Sequence, residues 1–197
     1  TDCRRFWAQY RAGSVSQKEI DQIEGNLAVT SGTCAVMGTA SSMAVIAETL
    51  GVMLPNTASI PAVHADRLRA SEQTGTVAAK MAIQGGPKLD QLITEESVEN
   101  ALRVLLSVSG STNAIIHLTA IAGRAGVEVD LKRFNELSDE TPVLVDLKPV
   151  GTGYMEDFHS AGGLDGVLRA LASQLNLQTL DVKGQSLVHR LQVNSSK

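Results

Sequence analysis

The chain must leave a tight polar turn and enter an apolar helix within a few residues of Cys34, and this junction constrains the fold more than any other feature. Gly32 and Gly38 flank the turn, and Met43, Ile46, Ala47 and Leu50 follow at helical spacing until Gly51 supplies a stop. Thr39, Ser41 and Ser42 offer the oxygens that start a helix. A cysteine among Ala, Val and Met reads by composition as a small buried hydrophobe. A thiolate beside backbone N–H groups at a helix N-terminus is instead a stabilised anion, the state that a metal or an iron–sulfur cluster requires. Spacing alone leaves both readings open.

Helical periodicity recurs along the chain. Ser16 opens a helix with Ile20, Ile23 and Leu27 on one face, and Pro61 suits the first turn of a helix running to about Thr74, where Gly75 permits a break before a second helix from Val77 to Ile83. Thr94 is an N-cap with Glu95 and Glu96 in the first turn, and Val98, Leu102 and Leu105 line the face behind it. Another helix opens at Ser111 with Ile115, Leu118 and Ala122 inward, and Asp130 caps one carrying Leu131, Phe134 and Leu137. Gly162-Gly163 introduces a helix with Leu164, Val167, Leu168 and Leu171 on one face, and Ser186 to Leu191 forms a short last helix. The run from Pro142 to Leu147 predicts a buried parallel strand, and Leu180 to Val182 a second one. Glycine-helix junctions around such strands predict an α/β fold, a layered sandwich with a mainly parallel sheet flanked by helices, with residues 1–197 as part of one domain.

A net charge of −4 and 3% aromatic residues argue against a nucleic-acid partner, and the apolar runs are too short to cross a membrane. Two cysteines, Cys3 and Cys34, make no disulfide framework, so a reducing cytoplasm is the expected compartment. The chain starts at Thr1 and ends in the polar run Asn194 to Lys197, which reads as a piece of a longer protein.

Several blocks in one order carry a resemblance. Gly32-Thr33-Cys34-Ala35-Val36-Met37-Gly38-Thr39-Ala40, then Glu48-Thr49-Leu50-Gly51 and Ile60-Pro61-Ala62-Val63, are followed by Gly110-Ser111-Thr112-Asn113-Ala114-Ile115-Ile116-His117-Leu118. Leu137-Ser138-Asp139-Glu140-Thr141-Pro142-Val143-Leu144, Asp146-Leu147-Lys148-Pro149, Tyr154-Met155-Glu156-Asp157-Phe158-His159 and Ala161-Gly162-Gly163 complete the series. From Thr1 to about Leu171 the chain resembles the dihydroxy-acid and phosphogluconate dehydratases, the IlvD/Edd family. The resemblance implies the N-terminal α/β domain of a hydro-lyase, incomplete and without its C-terminal domain. Such an enzyme takes a 2,3-dihydroxy acid to a 2-keto-3-deoxy acid, with an iron–sulfur cluster as Lewis acid on the leaving hydroxyl, a base at C2 and Mg²⁺ on the carboxylate.

Cys34 matches the last of the family's three cluster cysteines, and a 2Fe-2S cluster is expected ahead of 4Fe-4S. The Cys-Asp-Lys motif with the second cysteine, the first cysteine motif and the serine base have no match in this chain, so these residues alone are expected to be inactive. Segments around Cys3 and Tyr154 to Phe158 resemble the sugar-acid branch, of the arabinonate and xylonate type. The rival readings are a dihydroxy-acid dehydratase of branched-chain amino-acid biosynthesis and a silent α/β binding domain. A homodimer or homotetramer is expected for the full-length protein.

Ser111, Thr112 and Asn113 open a helix, so they either receive a substrate carboxylate or phosphate or simply cap it. Cys3 reads as structural rather than as a ligand, and His117 as a packed or hydrogen-bonded helix residue rather than a ligand. His64 and Asp66, two apart, are expected on different helix faces, and Glu156, Asp157 and His159 read as a carboxylate-rich first turn. Lys80 and Lys148 have no partner that sequence names.

Overall fold

Helix α6 (Glu95–Ser107) is buried along most of its length, the polar Ser97, Asn100, Arg103 and Ser107 included, and lies at the centre of the larger of two compact units, residues 34–197. Its Val98, Ala101, Leu102 and Leu105 enter one core cluster, while Val104, with Val108 just beyond its end, enters the other. Helix α3 (Thr39–Thr49) divides in the same way, Val45 to one cluster and Ile46 to the other, with Leu50 following Ile46. Against α6 and α3 pack α7 (Thr112–Arg124), with Ala114, Leu118 and Ala122 inward, α8 (Leu131–Glu140) through Leu137, and α10 (Gly163–Ala170) through Leu164, Val167 and Leu168. The remaining elements are α4 (Ala65–Gln84), α5 (Leu89–Leu92), α9 (Met155–Ser160), a 3-10 turn (Ala172–Gln174) and α11 (Leu187–Val193).

This computed structural model describes residues 2–26 and 31–193, without the side chains of Asp2 and Cys3. Cys3 as a structural thiol, Leu27 as a core position and the tail from Asn194 to Lys197 therefore lie outside the described residues. The smaller unit, residues 1–33, contains α1 (Asp2–Arg11) and α2 (Gln17–Gly25). Gly13, at φ 74°, turns the chain between them, and Trp7 meets Tyr10 edge-on at 5.6 Å. A capping box starts α2: Ser16 Oγ accepts from the Glu19 N–H at 3.3 Å, and the Ser16 N–H donates to Glu19 Oε2 at 2.8 Å.

The expected sheet is absent among the described residues, which correct the α/β sandwich to a helical architecture. Two isolated bridges, Leu147 with Gly153 and Leu180 with Ser186, are the whole of the β pairing among them. The Pro142–Leu147 run has strand propensity but no neighbouring strand to complete a ladder. Leu144 instead donates its N–H to the Ser107 carbonyl at 2.9 Å, and Val143 is 68% exposed. The expected break at Gly75 is also corrected, because α4 runs through it for twenty residues, none of them buried. One mid-helix glycine costs only about 1 kcal/mol and does not by itself end a helix.

Two constraints fix the C-terminal end of α3. Gly51 takes φ 79°, and a Cβ there would sit 2.0 Å from the Leu180 carbonyl oxygen, so only glycine lets the helix stop against residues 180–181. Glu48, buried, accepts the N–H groups of Asn56, Thr57 and Ala58 at 2.8, 3.0 and 2.7 Å and pairs with Arg190 of α11, which also reaches Asp165 of α10. Glu48→Ala is expected to lower unfolding free energy by about 3 to 5 kcal/mol, because a buried guanidinium loses one of its two counter-charges and three backbone N–H groups lose their acceptor. Glu48→Gln, which keeps an acceptor, should lose less; urea unfolding that shows Glu48→Ala within about 0.5 kcal/mol of the parent would remove the role assigned to this pair.

The Ser16 N–H donating to Glu19 holds its carboxyl below the usual 4.5. A carboxyl lowered on folding stabilises fully above its unfolded value, and that contribution is lost as pH falls through the folded one. NMR-detected helicity of α2 should therefore decline as the solution is acidified below about pH 4.5. Glu19→Gln should flatten that part of the profile, and an unchanged profile would count against it.

Candidate active-site face around Cys34

Residues 34–38 form a turn whose anchor is Met37, buried in the core that also contains Met155 and Leu147. Two backbone bonds tie it to the loop before α9: the Met37 N–H donates to the Lys148 carbonyl at 2.8 Å, and the Met155 N–H donates to the Ala35 carbonyl at 2.9 Å. Ser41 Oγ closes the turn from the helix side by donating to the Val36 carbonyl at 2.8 Å. Cys34 itself is exposed and carries a free thiol, so the buried-hydrophobe reading does not describe it. Its Sγ lies 3.7 Å from the position of a Cβ on Gly38, the N-cap of α3, over the turn where that helix presents unpaired N–H groups.

The N-terminus of α7 lies directly beside that of α3. Thr39 Oγ1 and Ser111 Oγ are 3.2 Å apart, Asn113 Nδ2 donates to Thr39 Oγ1 at 3.0 Å, and the Ser111 N–H donates to Ser42 Oγ at 2.9 Å. Gly110 makes this approach possible, since a Cβ there would come within 2.3 Å of Leu105 Cδ1 and 3.0 Å of Ser42 Oγ. Ser111 also caps α7 by accepting from the Asn113 N–H at 3.3 Å. The structure thus gives Ser111 and Asn113 mutual capping partners next to the helix that follows Cys34, and leaves Thr112 exposed. His117, one turn further on, is exposed on α7 rather than packed.

Sequence reasoning missed the Lys148–Tyr154 pair. Lys148 Nζ lies 4.1 Å from the centre of the Tyr154 ring and donates to its hydroxyl, so a cation stands on the loop that is hydrogen-bonded to the Cys34 turn. Asp146 holds the loop in shape: it accepts from Thr152 Oγ1 at 2.6 Å and crowds Gly151, where a Cβ would meet Asp146 Oδ1 at 1.9 Å. The signal was the Lys148-to-Tyr154 spacing around Gly151 and Gly153, which pattern reading resolves only as a loop.

Other candidates disperse. Asp157 caps the Tyr154 N–H at 2.8 Å, and Glu156 is exposed, which agrees with a carboxylate-rich first turn. His159 turns away to Ser59, Nδ1 to Oγ 3.1 Å. His64 and Asp66 are brought together, against the expectation of separate faces, because His64 is the extended N-cap of α4 and its Nδ1 lies 3.1 Å from Asp66 Oδ2. Among the described residues no three His, Cys, Asp or Glu side chains group so as to hold a metal ion. The described residues therefore offer an iron–sulfur cluster one exposed cysteine, Cys34, and not a complete ligand set. No helix among the described residues is long and apolar enough to cross a membrane.

Comparison with known proteins identifies the family. The family model described as dihydroxy-acid/6-phosphogluconate dehydratase, N-terminal, matches residues 1–190. A dihydroxy-acid dehydratase from Methanococcoides burtonii is 39% identical over 90% of this chain, and another from Caldanaerobacter subterraneus is 37% identical over 90%. A 6-deoxy-6-sulfo-D-gluconate dehydratase from Pseudomonas putida is 36% identical over 94%. In each case the match covers 32% of the relative, so the chain spans about a third of the length of these curated proteins. The residues that build the Cys34 turn and its walls therefore belong to the N-terminal region of the dihydroxy-acid/6-phosphogluconate dehydratase family.

Proposed function

We propose that this chain supplies one wall of the active site of a hydro-lyase that removes water from a 2,3-dihydroxy acid. The observation that carries the reading is the exposed Cys34 thiol on a turn held by the Met37 and Met155 backbone bonds, at the N-terminus of α3. When bound, an iron–sulfur cluster would supply a Lewis-acidic iron for the departing hydroxyl, with Cys34 as one of its ligands. The other ligands, the base and any Mg²⁺ site are assigned to residues beyond this chain. Within the chain, Lys148 supplies a positive charge suited to the substrate carboxylate, and the Tyr154 ring and hydroxyl restrict its position. Ser111, Thr112 and Asn113 at the start of α7 offer donors for substrate hydroxyls.

A sugar acid is the proposed substrate class, supported by the resemblance of the Tyr154 to Phe158 segment and by the relative named for a sulfo-sugar acid. The dihydroxy-acid dehydratases, of comparable identity, favour the branched-chain alternative. Assay of the complete enzyme against arabinonate, xylonate and 2,3-dihydroxyisovalerate separates the two, and exclusive use of the last would refute the sugar-acid reading.

Anaerobically purified full-length protein should contain iron and sulfide, and its Cys34→Ser variant should lose both while remaining folded. A parent that is folded and free of iron would overturn the proposal. Lys148→Met is expected to raise KM about tenfold or more with a smaller change in kcat, the signature of a lost charge-assisted contact to the substrate. An unchanged KM would remove Lys148 from the binding site.

A further inference from the structure

At the other end of α3 lies a groove of about 730 Å³ that the proposed reaction does not use. The eleven residues of α3 separate it from the Cys34 turn by about 16 Å at the ordinary helical rise. Arg69 of α4, His159 at the end of α9, Lys183, and His189 and Arg190 of α11 all line it, and Asp66 is its carboxylate. Basic groups from four separate parts of the chain thus converge in a protein whose net charge is −4.

The balance of these charges decides what the groove favours. Asp66 is already engaged, Oδ1 by Arg69 Nε at 2.7 Å and Oδ2 by His64 Nδ1 at 3.1 Å, and the Arg69 bond holds its carboxyl below the usual range. Arg190 is matched from beneath by Glu48 and Asp165. The nearby Asp181 carboxylate is buried and turned to the backbone, accepting the N–H groups of Lys183 and Gln185 at 2.8 and 3.0 Å. Among the described residues no carboxylate forms an ion pair with the Lys183 ammonium or the His189 imidazole, and both side chains are exposed. Gln73 and Gln185 add amide donors, while Ile60 and Val193 offer apolar surface for a carbon skeleton.

We propose that this groove is a second ligand site, for a small phosphate-bearing anion held by Lys183 and His189 with help from Arg69 and Gln185. The inference is independent of the hydro-lyase reading, since it uses neither Cys34 nor the residues around it. Charge-assisted N–H···O bonds from convergent cations are the chemistry that such an anion requires.

The test is ¹H–¹⁵N NMR of the full chain titrated with inorganic phosphate and, separately, with glycerol 3-phosphate, chloride being adjusted to constant ionic strength. Saturable shifts centred on Lys183, Gln185 and His189 are expected, and Lys183→Gln, at an exposed turn, should weaken binding about tenfold. Tighter binding of glycerol 3-phosphate identifies a phosphate monoester that also uses Ile60 and Val193; equal binding identifies free phosphate. Shifts that do not saturate, that chloride alone reproduces, or that persist unchanged in a Lys183→Gln/His189→Gln double variant would overturn the proposal.

Discussion

The carboxylate of Glu48, 2% exposed, governs much of how the larger unit is arranged. Three consecutive backbone N–H groups of residues 56–58 converge on it, so the chain leaving α3 is folded back over the helix end rather than carried away. The same carboxylate pairs with Arg190, which also engages Asp165, and this joins α3 to α10 and α11, which lie more than a hundred residues further along the chain. Burying a charge of this kind is costly unless its hydrogen bonds are complete, and here the backbone completes them. Specific registry of the last helix follows, because a slip of α11 would strand a guanidinium in the interior.

Opposite that end, geometry is set by backbone bonds more than by side chains. The Cys34 turn is held by the Lys148 and Met155 backbone and by Ser41, while Ser42 positions α7. Such an arrangement leaves the Cys34 thiol and Thr112 exposed, because neither is needed to maintain the turn. The helix N-termini of α3 and α7 lie side by side there, which concentrates partial positive charge on one face.

Sequence reasoning succeeded where one residue type has one physical use. Ser16, Thr94 and Asp130 cap helices as their oxygens predict, Gly51 ends α3, and the Leu164, Val167, Leu168 and Leu171 face is buried. It failed where outcome depends on a distant partner. The Val143 run has the composition of a strand, but a strand needs a neighbour, and among the described residues its backbone meets the end of α6 instead. His64 meets Asp66 because a cap residue has extended backbone, which helical spacing does not anticipate. Cys34 was identified through family resemblance; its exposure, and the nearby Lys148–Tyr154 pair, emerge only from tertiary placement.

Helix α4 has a dynamic consequence. Twenty residues without one buried side chain, Gly75 among them, owe little to tertiary packing, so their helicity rests on local caps and intrinsic propensity. Its amide protons should exchange through local opening at free energies well below those of α6 or α10, as a cooperative unit of its own. Arg69 and Gln73 travel with that unit, so one wall of the groove at the far end of α3 can be rebuilt on the timescale of a helix–coil transition while both cores stay folded.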